Sequence, residues 1–365
     1  MEVVGSARAL KSPPTKYVSG QVDAALFDSV PGVGFNTNSS ASAIVPPPGR
    51  LTGTGAALAV DPAENNAFRA INRAWKDGGA VRFAPASGSQ APRYVLTGLS
   101  DDQQDDLVRT LALRGQRTDP SGPVIAKARL GVYEPWGGNM SAGWIRWILE
   151  QYGFDYTILR PADFHSPLTG RVDVVIMPDG ALLRGGAGRG GRATRPEYSD
   201  DTTAEDLASF EQFVRNGGTL VCVSTACSAV IQQFKLPVTN SVSGLRPEDF
   251  FLRGSIVEAE IDTTHPLMAG MPRKAALFAD GSPVFETQSG FSGTVLAKYA
   301  DAGSPLLSGY LIGEKYLNGK SAALDVHLDA GHVILLGFRP EWRGQSFGTF
   351  KVLFNSLLLT PSRNQ

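Results

Sequence analysis

The stretch Gly217-Gly-Thr-Leu-Val-Cys-Val-Ser-Thr-Ala-Cys-Ser228 constrains the fold of this chain more than any other. Leu220 to Val223 is a short, wholly apolar run of the kind that forms a buried strand. The small residues Ser224, Thr225 and Ala226 permit a tight turn, and Ala226 to Phe234 continues as a predicted helix. Strand, turn and helix with a hydroxyl at the apex is the layout of a nucleophile elbow, which lifts a side chain to the carboxyl edge of a parallel sheet. The stretch therefore predicts an α/β fold and raises a chemical question: whether Ser224 works as a nucleophile or is a relic.

The rest of the chain follows the same grammar. Asn65 to Asp77 has Phe68, Ile71 and Trp75 at helical spacing, and Asp101 to Leu113 is a second helix with two aspartates at its positive end. With strands at Ala57 to Val60, Val81 to Ala84 and Tyr94 to Leu96, residues 53–122 read as a small α/β unit that ends in a linker, Thr118 to Pro123. Residues 1–52, punctuated by Ser12-Pro13-Pro14 and Pro46-Pro47-Pro48, read as extended or partly ordered chain without the apolar content for a core. From residue 123 to 362 strands and helices alternate: Arg129 to Tyr133, the helix Met140 to Tyr152, Asp155 to Leu159, Val172 to Met177, the helix Ala204 to Val214, then the elbow. That order predicts a doubly wound, mostly parallel sheet. Met140, Trp144, Trp147, Ile148 and Tyr152 are expected on the packed side of their helix. An antiparallel extension follows, with Ser255 to Ile261, Val284 to Glu286, Thr294 to Tyr299 and a hairpin from Ser321 to Gly337; Ser346 to Leu359 closes the chain as a helix.

Bulk properties exclude several classes of function. A formal net charge of −1 leaves no electrostatic footprint for nucleic acid. No apolar run reaches the ~20 residues of a spanning helix, and no signal peptide is visible at Met1. Cys222 and Cys227 are the only cysteines and are expected to be buried free thiols.

Four stretches carry a resemblance. Arg129-Leu-Gly-Val-Tyr-Glu-Pro-Trp136, Gly143-Trp-Ile-Arg-Trp-Ile-Leu-Glu-Gln-Tyr-Gly-Phe154, Asp262-Thr-Thr-His-Pro-Leu267 and Gly337-Phe-Arg-Pro-Glu-Trp-Arg-Gly-Gln345 resemble the class I glutamine amidotransferase-like domain, flavodoxin-like in fold, that follows the catalytic domain of a group of carboxypeptidase A-like zinc peptidases. The resemblance implies an accessory region whose partner is a peptidase catalytic domain, in cis upstream of Met1 or in trans. It makes the chain a C-terminal portion or the product of a truncated gene, from a family that is often exported.

The chemistry can be tested residue by residue. A peptidase of that family needs a His-x-x-Glu pair and a distant second histidine. His165, His265, His327 and His332 are the four histidines and none has Glu at the third following position, so no zinc, and no other metal or cofactor, is expected. Working class I amidotransferases are similar to one another in a Gly-x-Cys-x-Gly elbow and a later His-x-Glu. Here the corresponding residues are Cys222-Val-Ser224-Thr-Ala226 and Arg339-Pro340-Glu341. A guanidinium stays protonated, so Arg339 cannot take a proton from Ser224. The expected catalytic set Ser224, Arg339 and Glu341 is therefore degenerate. The old site, with Gly180, Ser224, Thr225, Arg339 and Arg343, is left as a candidate ligand-binding site for a small carboxylate, unless Arg339 pairs internally with Glu341. The rival readings are a serine hydrolase in which Asp325 and His327 approach Ser224, and a free-standing carbohydrate- or peptide-binding module. The glycine-rich segment 184–192 reads as a surface loop replacing the oxyanion loop near Gly180.

Overall fold

A computed structural model describes residues 48–88, 90–182 and 203–359. The N-terminal segment up to residue 47 and the glycine-rich segment 184–192 lie outside the described residues. From Gly49 onward the chain forms one unit built on two main sheets.

The first sheet contains β1 (Arg50–Gly53), β2 (Ala57–Val60), β3 (Ala80–Ala84), β4 (Arg93–Thr97), β5 (Arg114–Thr118) and β6 (Val124–Ile125), in the order β1-β5-β2-β4-β3-β6. Helix α1 (Asn66–Lys76) follows β2 and α2 (Asp101–Leu111) follows β4. Phe68 and Ile71 of α1 are fully buried with Leu58 and Val60 in one core, as the helical spacing predicts. A capping box starts α2: Ser100 Oγ accepts from the Gln103 amide, and Gln103 Oε1 accepts from the Ser100 amide. The helix stops at Ala112, which turns left-handed with φ 52°, so that Leu113 leaves it to become buried. Strand β5 has no signal in the sequence pattern. Its residues Arg-Gly-Gln-Arg-Thr show no apolar alternation, and it exists because both its edges are taken, by β1 and β2.

The second part runs β7 (Leu130–Tyr133), α3 (Met140–Tyr152), β8 (Tyr156–Leu159), β9 (Val174–Met177), α4 (Ala204–Arg215), β10 (Thr219–Val223) and α5 (Ala226–Gln233). It continues with β11 (Val238–Asn240), β12 (Phe251–Leu252), β13 (Ser255–Ile261), β14 (Lys274–Ala279), β15 (Phe285–Thr287) and β16 (Gly293–Lys298). The last elements are β17 (Leu306–Ser308), β18 (Leu311–Ile312), β19 (Ser321–Leu328), β20 (Gly331–Leu336) and α6 (Phe350–Leu358). Among the described residues twelve strands join in one sheet, ordered β14-β13-β16-β19-β20-β10-β9-β7-β8 with β11, β15 and β17 attached beside this path.

Five of these strands, β8, β7, β9, β10 and β20, pair in parallel. The remaining contacts are antiparallel. The sheet is thus mixed, and the expectation of a mostly parallel sheet is corrected. The reason lies in the connections: each parallel neighbour needs a crossover of a dozen or more residues, whereas hairpins such as β19–β20 add antiparallel strands with short turns. In that hairpin His327 faces His332 across Asp329, a left-handed residue with φ 52°.

Strand β10 is buried at every residue. Its alternating side chains divide the interior: Val221 and Val223 join the core shared with α1, α3 and α6, while Leu220 and Cys222 join the core shared with α4 and α5. Gly218 makes the close approach possible, since a Cβ there would lie 2.3 Å from the Phe213 ring. Cys222 and Cys227 are free and buried, as expected.

Helix α3 has the predicted limits, and Ile148 and Tyr152 are buried as expected, but the rest of its inner face differs. Met140 is 64% and Trp147 42% exposed, while Ser141, Ala142, Ile145, Ile148 and Leu149 are buried. Ser141 is held inside by its hydrogen bond to Glu341, and Trp144 and Trp147 meet edge to face at 5.8 Å. Helix α6 begins at Phe350 rather than Ser346, because Thr349 Oγ1 is spent on the carbonyls of Ser346 and Pro340. All nine residues of α6 are buried, so its apolar stripe is wider than Phe350, Leu353, Phe354 and Leu357 alone.

Candidate functional site

Ser224 sits where β10 ends and before α5 begins, with φ 51°. A non-glycine residue in that region is strained by ~1 kcal/mol or more, and the turn holds it by hydrogen bonds. The Ser224 amide donates to the Leu336 carbonyl at 2.7 Å, tying the elbow to β20, and its own carbonyl accepts from the Cys227 amide at 3.0 Å. The predicted strand–turn–helix geometry is present. The hydroxyl it presents, however, is fully buried, with Ser282 Oγ at 3.2 Å as its partner.

Next to the elbow the chain fills its own site. The residue after the nucleophile position supplies an oxyanion donor in a working elbow. Here the Thr225 amide donates to Asp179 Oδ1 at 2.9 Å, and the Thr225 hydroxyl donates to the same oxygen at 2.7 Å. The Gly180 amide is also engaged, donating to Thr225 Oγ1 at 3.0 Å. Asp179 follows β9 and its other oxygen, Oδ2, lies 2.6 Å from Arg339 Nη2. Arg339 also meets Asp280 Oδ2 at 3.3 Å and lies over the Trp342 ring, 5.0 Å from its centroid. Its partners are therefore Asp179 and Asp280, and not Glu341.

Glu341 takes a separate path. Ser141 Oγ donates to Glu341 Oε1 at 2.6 Å and accepts from the Asp179 amide at 3.2 Å, so the start of α3 joins the two loops. Glu341 Oε2 is buried without a hydrogen-bond partner among the described residues. A cleft of about 330 Å³ opens here, walled by Asn139, Ser141, Asp179, Asp280, Arg339, Glu341 and Arg343 among others. Gly180, Arg339 and Arg343 thus share one cleft, as expected, while Ser224 and Thr225 do not line it.

Burial raises the Glu341 carboxyl to about 7, helped by the charge of Asp179 and opposed by the Ser141 hydrogen bond and Arg339. The unfolded chain titrates this group near 4.3, so the folded state binds the extra proton in between. The resulting stability is complete below about pH 4.3 and is lost as pH rises through about 7. Glu341→Gln should remove that slope, and its stability relative to the parent should improve by roughly 3 kcal/mol between pH 4.5 and 8. Urea denaturation across that range measures it; a stability difference independent of pH contradicts the assignment.

A second cluster lies elsewhere. Asp325 is 3% exposed, and His332 Nδ1 sits 2.9 Å from its Oδ1. His265 Nε2 and His327 Nε2 approach Asp325 Oδ2 at 3.8 and 3.9 Å. Three of the four histidines therefore surround one buried carboxylate, beside a cleft of about 180 Å³ that Thr219 also lines. Through β20, His327 and His332 lie level with Thr219 and Asp325 level with Val221, so at ~3.3 Å per residue the histidines stand about 17 Å and the carboxylate about 10 Å from Ser224 along the strand direction. The hydrolase reading needs Asp325 and His327 at Ser224, and the fold keeps them apart. Sequence spacing signals only part of the cluster, Asp325 and His327 on one strand face, because His265 joins it from a distant loop.

No protein-family model matches this chain, and no curated protein matches it. Solved structures do resemble it. A putative GMP synthase component from Thermoplasma acidophilum shares 12% identity over 63% of this chain and 92% of its own, with a TM-score of 0.40. A glutamine amidotransferase from Thermotoga maritima gives 10% identity, 59% and 77% coverage and a TM-score of 0.39. A putative ThuA-like protein from Bacteroides uniformis gives 15%, 67% and 96%, and 0.38. No carboxypeptidase stands among these three, and at such identities and TM-scores the likeness fixes neither a family nor an activity.

Proposed function

We propose that residues 123–362 are a degenerate, non-catalytic class I glutamine amidotransferase-like domain, acting as an accessory region of a zinc carboxypeptidase-like protein. The observation that carries the loss of catalysis is the Asp179 carboxylate. It accepts from both donors of Thr225 and is neutralised by Arg339, so the place where a reaction would develop negative charge already holds one. The strand order of the parallel part, the elbow at Ser224 and the return of Arg339 and Glu341 to the same sheet edge support the amidotransferase-like reading. The peptidase partnership rests on the sequence resemblance, and the work assigned to the domain is to stabilise or position a peptidase domain. A second reading keeps the cleft as a small-anion site, favoured by Arg343, which is exposed at its wall and has no carboxylate partner among the described residues.

A serine-directed fluorophosphonate probe tests the main reading. The purified chain should remain unlabelled at Ser224 under conditions that saturate a control serine hydrolase, and it should release no ammonia from glutamine. Stoichiometric labelling that Ser224→Ala abolishes, or measurable glutaminase turnover, would overturn it.

A further inference from the structure

We infer that Asp325, His327 and His332 form a binding site for one divalent transition-metal ion, zinc by preference, with His265 orienting the carboxylate. The ligand atoms of the three residues lie within 4.8 Å of one another. Metal–ligand bonds of about 2.0–2.2 Å place two ligands of one tetrahedral ion roughly 3.4 Å apart, so small side-chain rotations close the set. Two imidazoles and a carboxylate are the donors that borderline divalent ions select, leaving a position open to solvent or a ligand.

The site is held by rigid elements. Asp325 and His327 are two residues apart on β19, and His332 faces His327 in register on β20, with ring centroids 4.6 Å apart. His265 belongs to a different loop. Its Nδ1 accepts from the Leu267 amide at 3.3 Å, which leaves the proton of the neutral ring on Nε2, the nitrogen that faces Asp325 Oδ2 at 3.8 Å. At 3.8 Å this nitrogen stands just outside hydrogen-bond range, and a small rotation would bring it onto the carboxylate, as outer groups support the ligating carboxylates of metal sites. The charge balance points the same way. Among the described residues, the ion partners of the buried Asp325 carboxylate are these three imidazoles and no Lys or Arg, and a buried carboxylate without a permanent cation favours a metal ion. The 180 Å³ cleft beside the cluster leaves room for the open coordination position.

The test uses the whole chain, stripped with a chelator, dialysed and titrated calorimetrically with zinc chloride; cobalt absorption in the visible range reports the ligand geometry. One equivalent should bind with a dissociation constant below ~10 μM. His327→Gln and His332→Gln should each weaken it by at least about 10–100-fold. His165→Gln, which alters the one histidine outside the cluster, should leave it unchanged. His327 is the most exposed member, so its variant is the one expected to fold normally, and circular dichroism checks this. A folded parent chain that binds no zinc at this level overturns the inference. So does zinc binding that survives both substitutions.

Discussion

Arg339→Leu should lower the unfolding free energy by about 3 kcal/mol, because among the described residues Asp179 and Asp280 have no other ion-pair partner. Breaking a buried ion pair by removing one partner typically costs ~3–5 kcal/mol, more than the pair itself is worth. The side chains of Arg339 and Asp179 are 15% and 11% exposed, which places the expected loss at the lower end of that range. Restoring charge balance should restore stability: Arg339→Leu combined with Asp179→Asn should recover at least ~1 kcal/mol relative to the single variant. Urea denaturation at pH 7 on the parent, both single variants and the double variant decides it. A loss below ~1 kcal/mol for Arg339→Leu would mean that Arg339 is not a strut, and its guanidinium would again be available to a ligand.

Asn355→Ala is expected to cost about 4 kcal/mol. Asn355 is fully buried on α6 and joins three segments. Its Nδ2 donates to the carbonyls of Leu267 and Ala269 at 3.2 and 2.9 Å, and its Oδ1 accepts from the Tyr94 hydroxyl at 2.7 Å. Truncation leaves two carbonyls and a buried hydroxyl unsatisfied, at ~1–3 kcal/mol each. Tyr94→Phe removes the hydroxyl and leaves only the Asn355 oxygen unpaired, so it should cost about 1.5 kcal/mol. If the two substitutions proved equally mild in thermal and urea melts, Asn355 would not be the fastener that links β4, α6 and the Pro266 turn.

Both effects belong to side chains whose importance local sequence does not reveal. Asn355 sits in the apolar run Phe350 to Leu358 and would pass for a solvent-facing residue of an amphipathic helix. It is polar because α6 is enclosed on every side and the loop carbonyls beneath it need donors. Arg339 stands before Pro340-Glu341, where the sequence resemblance expects a base, yet its partners are not legible there. An internal pair with Glu341 is the natural local expectation. The observed pairs, with Asp179 and Asp280, come from loops far from it in sequence. The tryptophans of α3 mislead in the opposite way, since size suggests burial while Ser141 and Ala142 take the inner face, Ser141 through its bonds to Glu341 and the Asp179 amide.

What the sequence determined by itself is the set of local decisions. Continuous apolar runs at Val174–Met177 and Leu220–Val223 can be satisfied only by cover on both faces. Small residues after Val223 permit the elbow, and the Ser321–Gly337 pattern yields a hairpin, although Gly331 joins the second strand opposite Leu328 and the turn shortens to Asp329-Ala330. These depend on backbone sterics and on periodicity, which act over a few residues. Tertiary structure alone decided the mixed character of the sheet, the filling of the elbow by Asp179, and the gathering of His265, His327 and His332 around Asp325. Each of those joins residues from separate elements. Side-chain electrostatics reaches only a few ångströms inside a protein, so which charges meet is settled by strand order and register, which no local pattern encodes.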